Sequence, residues 1–192
     1  LCYIGGGGEM AYWLELKDMF AVFKVTFPML LLRNSALVMT DLQQRKLTKL
    51  KMSVTELFLK QDDLLTLKTK VHSELHIDFT QQKAFLKEQF KDLHKLAKQT
   101  DQSFVGAVAA QEKKQIKGLE NLEKRLLKAE KRQLKERLGN YVKLQNELFP
   151  NKSLQERNLN FSELYLEFGE QLIPMLKKEL NPLQAEFMVL SS

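Results

Sequence analysis

A long helical stretch in the middle of the chain constrains the fold more than any other feature. Across residues 113–137, apolar side chains recur in steps of three and four, at Ile116, Leu119, Leu122, Leu126 and Ala129. This spacing gives a helix a narrow apolar seam, and such a seam is normally buried against a second helix. The sequence therefore predicts a helical coiled-coil arm.

The helical pattern extends in both directions from this stretch. We predict one continuous helix over residues 102–148, about 65 Å long, with a seam that drifts after Ala129 to Leu134, Leu138, Tyr141 and Leu148. An earlier helix-rich segment covers residues 62–98, with a break near 76–80, and residues 99–101 form the reversal. The two helices are expected to run antiparallel, with three apolar side chains packing near the tip: Phe104, Val105 and Val108.

The segments on either side of the arm are predicted to form part of an α/β core. By residue count, the whole chain is predicted to be mostly helical. Short apolar runs typical of buried strands cover residues 1–4, 27–32, 36–39 and 186–190. We expect the run at 36–39 to continue or pair with 27–32, and the last run to return to the same sheet. Two patterns, Ser53-x-x-Glu56 and Ser153-x-x-Glu156, indicate capping boxes. The predicted divisions are 1–52 (core), 53–150 (arm) and 151–192 (return to the core).

Charge and cysteine content narrow the classes of function. Residues 41–150 hold 23 Lys and Arg against 15 Asp and Glu. This basic arm could attract a polyanion, but it lacks interleaved aromatic residues, so nucleic acid is not an expected partner. The single cysteine, Cys2, excludes an intrachain disulfide and favours a cytoplasmic location. No membrane association is expected, because no apolar run approaches the roughly 18 residues that a span requires.

Two polar segments follow predicted strands and are candidates for ligand contacts. Residues 5–8 are four glycines, followed by Glu9, which resembles the opening of a βα unit. A tight turn that packs the helix explains the glycines equally well, and no Walker motif is present. Arg33, Asn34 and Ser35 follow the second strand, where open α/β sheets place ligand contacts, or they form a turn.

The three histidines lack the spacing of a metal site, so no metal is predicted and solvent exposure is expected for them.

Several separated motifs together resemble one known family. They are CYIGGGGEMAYWLELKDMF, FPMLLLRNS, LEKRLLKAEKR and LFPNKSLQERNLNF, followed by a short closing strand. In this order they resemble the C-terminal part of the bacillithiol-biosynthesis cysteine-adding enzyme family. The family's glycine turn more often reads GGPGE, and Gly7 occupies the proline position here. Because the chain opens directly on a strand at Leu1, we expect it to be the C-terminal portion of a larger protein.

The resemblance implies a ligase that joins cysteine to glucosaminyl-malate, with a Rossmann-like core and an inserted coiled coil that supports a homodimer. Amide formation needs an activated carboxyl group, which suggests ATP or ADP, but no nucleotide motif is present and the cofactor stays unassigned. Matched motifs imply catalytic roles for Glu9, Arg33 and Asn34. They imply substrate contacts for ten further residues: Tyr3, Gly5, Gly6, Gly8, Tyr12, Trp13, Ser35, Gln155, Glu156 and Arg157.

The chemistry of these side chains fits such roles. Arg33 or Arg157 could bind malate carboxylates bidentately. Asn34 and Gln155 could bind sugar hydroxyls, and Glu9 or Glu156 could take the cysteine ammonium or act as a base. Each has a structural alternative, since aromatic side chains are usually core and a capping box would account for Glu156. The alternative function is a non-catalytic coiled-coil dimerisation or scaffold module, with a basic arm that could bind nucleic acid.

Overall fold

The computed structural model describes residues 1–191, which are mostly helical. Four short strands are present in this range: β1 Cys2–Gly5, β2 Met29–Leu32, β3 Ser35–Met39 and β4 Phe187–Ser191. The α-helices of the same range are α1 Gly7–Glu15, α2 Lys17–Val22, α3 Asp41–Lys49, α4 Val54–Leu57, α5 Gln61–His72, α6 Thr80–Ala97, α7 Gln102–Gln133, α8 Lys135–Leu148, α9 Gln155–Asn158, α10 Phe161–Phe168 and α11 Leu172–Glu179. Two short 3₁₀ turns cover Pro150–Lys152 and Gly169–Gln171. No helix within the described part of the chain is long and apolar enough to cross a membrane.

The chain divides into two compact units. The first combines residues 1–51 with residues 144–191, and the second is formed by residues 52–143. The first unit is therefore built from two stretches that are far apart in sequence, and the second from one continuous stretch.

The first unit holds two separate two-stranded parallel sheets. β1 pairs with β2, from Cys2 opposite Met29 to Gly5 opposite Leu32. β3 pairs with β4, from Ser35 opposite Phe187 to Met39 opposite Ser191. The predicted strand positions are confirmed, but the prediction that residues 36–39 pair with 27–32 is wrong, as is the return of the last strand to that same sheet.

Side chains from a distant segment explain why β3 does not join β2. One edge of β3 pairs with β4, and the backbone of Val38 is hydrogen-bonded by the side chain of Gln155. Three of the five β3 residues, Leu37, Val38 and Met39, are buried, so this strand lies in the core of the unit. β1 and β2 instead carry exposed apolar side chains, including Ile4 and Met29.

The helix boundaries of the first unit follow local chemistry. Thr40 and Gln43 form a capping box at the start of α3, since Thr40 Oγ1 accepts from Gln43 N and Gln43 Oε1 accepts from Thr40 N. Gly169, with φ of 58°, ends α10, because this left-handed conformation is readily available to glycine. The predicted capping box at residues 153–156 is wrong: α9 has Leu154 as its N-cap, and the Glu156 carboxylate turns towards β3.

The second unit contains the two helices predicted for the arm. α6 ends at Ala97 and α7 begins at Gln102, so the predicted reversal at 99–101 is confirmed, and Asp101 caps α7 through a hydrogen bond from Phe104 N. Phe90, Ala97 and Val108 form a buried apolar cluster between the helices, flanked by Leu86 and Val105. Two polar contacts also join them: the Lys83–Glu123 ion pair and a hydrogen-bond contact between His94 and Glu112.

The predicted seam is only partly buried. Leu122 and Phe104 are exposed, whereas Leu119 and Leu126 are half-buried. Glu123, next to Leu122, contacts α6 through a hydrogen bond from Lys83. The long helix is also not continuous, because Leu134 separates α7 from α8, with φ of −87° and ψ of 12°. The interruption falls where the seam was predicted to drift, and the later seam residues Leu138, Tyr141 and Leu148 are buried.

A polar cluster around Tyr141 is buried in the second unit. The Lys68 side chain, only 5% exposed, places Nζ 2.8 and 2.7 Å from the two carboxylate oxygens of Glu56. His72 Nε2 lies 2.7 Å from the Tyr141 hydroxyl oxygen, so His72 is half-buried rather than solvated as expected. Burial lowers the pKa of His72, and the positive charges of Arg137 and Lys68 lower it further.

We expect the second unit to lose stability as the pH falls below about 6.5, the ordinary pKa of histidine. Because the folded-state pKa of His72 is lower than its unfolded-state value, the unfolded chain binds the proton first. Stability is thus retained above that pH and lost as the pH falls towards the folded pKa. Urea unfolding between pH 8 and 5 measures this, and His72→Gln should flatten the dependence. An unchanged dependence in that variant would contradict the assignment.

Candidate functional site

The glycine turn and the Arg33 segment lie side by side at one end of a sheet. β1 ends at Gly5 and β2 at Leu32, and these two residues are opposite each other in the parallel register. The backbone N–H of Arg33 donates to the carbonyl oxygen of Gly5 over 2.9 Å. Residues that follow the carboxyl ends of two neighbouring parallel strands are thereby brought together, in the position where open α/β sheets bind ligands.

The side chains of Glu9 and Arg33 both lie close to Gly6. Glu9 Oε2 accepts a hydrogen bond from Gly6 N over 2.6 Å, which satisfies a free N–H at the start of α1. A Cβ atom at Gly6 would lie 3.5 Å from Glu9 Oε2 and 3.6 Å from both Cζ and Nε of Arg33. The turn thus holds a carboxylate and a guanidinium beside one buried glycine.

Gly5 is required by the chain's own side chains. A Cβ atom there would lie 2.7 Å from Cε1 of the Tyr3 ring and 3.1 Å from Glu9 Oε2. The ring of Tyr3 cannot shift readily, because it packs on Trp13 with 4.4 Å between the ring centroids. Gly7 and Gly8 differ, since a Cβ at either would have no heavy atom within 4 Å among the described residues.

The aromatic residues of the predicted site divide into two kinds. Trp13 is half-buried and packs against Tyr3, Phe20 and Phe27, so it belongs to the small aromatic core between α1, α2 and the first sheet. Tyr12, the residue before Trp13 on α1, is 61% exposed. Of the two, only Tyr12 offers its side chain to solvent to any large extent.

Glu156 connects the Arg33 segment to α9. Its Oε1 lies 3.9 Å from Arg33 Nη2 and accepts from the Ser35 hydroxyl over 3.3 Å, while its Oε2 accepts from Ala36 N over 3.2 Å. The Arg33 and Glu156 side chains are 48% and 22% exposed, so this ion pair is partly open to water. One carboxylate therefore contacts Arg33, which follows β2, and the first two residues of β3.

Gln155 contacts the backbone of β3. Its Oε1 accepts from Val38 N and its Nε2 donates to the Val38 carbonyl oxygen, both over 2.9 Å, and the residue is only 5% exposed. The side-chain amide of Gln155 thus satisfies the two backbone groups of Val38 that a neighbouring strand would otherwise bind. Arg157 lies exposed on the same short helix.

Asn34 is held by a residue that the sequence did not single out. Its Nδ2 donates to the carbonyl oxygen of Asn181 over 2.8 Å, and Asn181 Oδ1 accepts from Leu183 N. A contact through a backbone oxygen leaves no side-chain pattern, so the sequence alone does not identify Asn181. The structure therefore brings Glu9, Arg33 and Glu156 together, with Asn34 tied to the loop that leads to β4.

Comparison with known proteins gives matches over both parts of the chain. Residues 36–192 match the family model described as "Bacillithiol biosynthesis BshC, C-terminal coiled-coil domain". Residues 1–34 match the model described as "Bacillithiol biosynthesis BshC, N-terminal Rossmann-like domain". The boundary between the two models falls at Ser35, the first residue of β3.

Individual relatives agree with this result. The chain is 59% identical over 191 residues to the protein of Christiangramia forsetii named "Putative cysteine ligase BshC", covering 100% of this chain and 36% of the relative. The equally named proteins of Flavobacterium psychrophilum (59% identity, 99% and 36% covered) and Cytophaga hutchinsonii (33% identity, 95% and 35% covered) are similar. The chain thus spans about a third of the length of these curated relatives. It belongs to the bacillithiol-biosynthesis BshC family and corresponds to a C-terminal portion of its members.

Proposed function

We propose that this chain contributes part of the active site of a ligase that joins cysteine to glucosaminyl-malate through an amide bond. The observation that carries the proposal is the meeting of Glu9 and Arg33 around Gly6, at the carboxyl ends of two paired parallel strands. The similarity to proteins named as cysteine ligases supports the type of reaction. The location we infer is the cytoplasm, where the exposed Cys2 would stay reduced.

In this proposal Arg33 binds an anionic group of the substrate. Its guanidinium carries five N–H donors in a planar fork, which suits a malate carboxylate. The Glu156 carboxylate lies 3.9 Å from Nη2, beyond hydrogen-bond distance, so the fork is well suited to accept a further anion. Binding there would orient the sugar part of the substrate relative to the glycine turn.

Glu9 is proposed to act on the amine side of the reaction. One carboxylate oxygen accepts from Gly6 N, which fixes the side chain at the start of α1. The other oxygen would hold the cysteine ammonium or take a proton from the attacking amine. Activation of the cysteine carboxyl by ATP or ADP would require further residues, because none of the described motifs is typical of a nucleotide site.

Cysteine addition by the full-length protein tests these roles. We expect Arg33→Ala and Glu9→Gln each to lower kcat/KM at least tenfold, about 1.4 kcal/mol of transition-state stabilisation, while Tm stays within a few degrees. Gln retains the oxygen that accepts from Gly6 N, so the helix start is preserved. Arg45→Ala, the same substitution at an exposed arginine of α3, is the matched control and should leave turnover unchanged. Normal turnover in both site variants would remove Glu9 and Arg33 from the mechanism.

We also propose that α6 and α7 form an antiparallel coiled-coil arm through which two copies of the protein associate. The two polar contacts between the helices support the antiparallel arrangement. His94 of α6 contacts Glu112 of α7, whereas Lys83, earlier on α6, contacts Glu123, later on α7. The exposed apolar residues Phe85, Leu93 and Leu122 would then be covered by the second copy.

The oligomeric state of a charged variant checks the second proposal. Phe85→Asp combined with Leu122→Asp should convert the dimer to a monomer in light scattering, because two buried carboxylates in each copy would oppose association. Both positions are exposed within the chain, so helicity by circular dichroism should not change. A dimer that persists in this variant would place the interface elsewhere.

A further inference from the structure

The contacts of residues 155 and 156 point to a role beyond that of substrate ligands. Ala36 N and Val38 N are two residues apart on β3, and both are bonded by side chains of the first turn of α9. Gln155 binds the N–H and the carbonyl of Val38, and Glu156 binds Ala36 N. The two side chains therefore hydrogen-bond to β3 at neighbouring positions. These bonds hold the start of α9 against the strand, and they hold the Glu156 carboxylate at Ala36.

The segment that leads into α9 is also conformationally restricted. Asn151 and Lys152 both have positive φ, at 55° and 58°, a region that non-glycine residues adopt at a cost. The turn is closed by hydrogen bonds from Lys152 N to Phe149 O and from Ser153 N to Pro150 O. A strained conformation persists only where the surrounding structure holds it. The placement of Gln155 and Glu156 is therefore determined both by this turn before α9 and by the hydrogen bonds to β3.

From this arrangement we propose that Glu156 is a positioning residue for Arg33. Its carboxylate is anchored by Ser35 and Ala36 and directs its charge at the Arg33 guanidinium. Arg33 is thereby held beside Gly6, where its guanidinium would bind the substrate anion. Without this carboxylate the long arginine side chain samples other rotamers, and anion binding requires that freedom to be lost again.

The proposal rests on the function proposed above, and a double-mutant cycle in the full-length protein tests it. Glu156→Gln is the informative substitution, because its amide oxygen can still accept from Ala36 N while the negative charge is lost. We expect KM for glucosaminyl-malate to rise about fivefold, as for the loss of a partly exposed ion pair, with kcat changed less than twofold and Tm unchanged. When Arg33 is already alanine, adding Glu156→Gln should change KM no further.

Each outcome of the cycle decides a different point. Additive losses, with Glu156→Gln raising KM equally in the Arg33→Ala background, would overturn the positioning role and leave Arg33 as a ligand. A fall in Tm of several degrees with KM unchanged would also overturn it, in favour of a purely structural role. Normal turnover in the Arg33→Ala variant, or no cysteine addition by the unaltered protein, would overturn the proposed function and the positioning role with it.

Discussion

Replacing Gln155 with leucine should lower the free energy of unfolding by about 3 kcal/mol, since two buried backbone groups would each lose a hydrogen-bond partner. The Gln155 amide supplies both the acceptor for Val38 N and the donor to the Val38 carbonyl. Leucine has a similar size but can do neither. Because Gln155 is 5% exposed, water has little access to replace it.

Urea unfolding of the full-length protein measures this loss, and amide hydrogen exchange localises it. The Val38 N–H should exchange much faster in Gln155→Leu than in the unaltered protein. Gln133→Leu, the same substitution at an exposed position at the end of α7, is the matched control and should leave stability unchanged. A loss of less than about 1 kcal/mol in Gln155→Leu would show that β3 does not depend on this amide.

The second large effect is expected at the ion pair between Glu56 and Lys68. Burial acts to raise the pKa of Glu56, but the hydrogen bonds from Lys68 and Ser53 outweigh it, so the pKa lies below its ordinary value. Glu56→Gln removes the charge and leaves the buried ammonium of Lys68 without its carboxylate. We expect a loss of about 3 kcal/mol in the free energy of unfolding, typical of a buried pair that loses one partner.

Two further variants test whether the loss of stability in Glu56→Gln comes from the uncompensated charge of Lys68. Glutamine can still accept from Ser53 N, so the start of α4 is retained. The double variant Glu56→Leu with Lys68→Met should recover much of the lost stability, because no uncompensated charge remains. Glu88→Gln, in the exposed pair Lys91–Glu88, should have no measurable effect. Equal losses at the two sites would contradict a special role for burial.

The contrast between local and distant contacts explains which features could be predicted from sequence. The reversal at 99–101 and the Ser53–Glu56 capping box depend on neighbouring residues, and both are found as predicted. The capping box at 153–156 failed, although its sequence fits equally well, because Glu156 bonds residues about 120 positions away. Local patterns cannot detect such competition.

Prediction of the candidate site from sequence was likewise limited by contacts between distant residues. Strand ends and polar residues were enough to place Glu9 and Arg33 near one another, because parallel strands bring their carboxyl ends together. The pairing of β3 with β4 rather than β2 was not predicted, since both alternatives are short apolar runs of similar composition. The helix break at Leu134 also escaped prediction, as no glycine or proline stands there.

The sheet formed by β3 and β4 has a consequence for how the protein reaches its folded form during translation. Its two strands are separated by about 150 residues, and the Val38–Gln155 contact spans 117. Contacts between α6 and α7 need only a short reversal, so they can form early, as contacts of low sequence separation generally do. Residues 35–39 would meanwhile emerge from the ribosome as an apolar strand with both edges open, a state prone to aggregation. A chaperone that binds extended apolar segments would therefore protect this strand until synthesis passes residue 187.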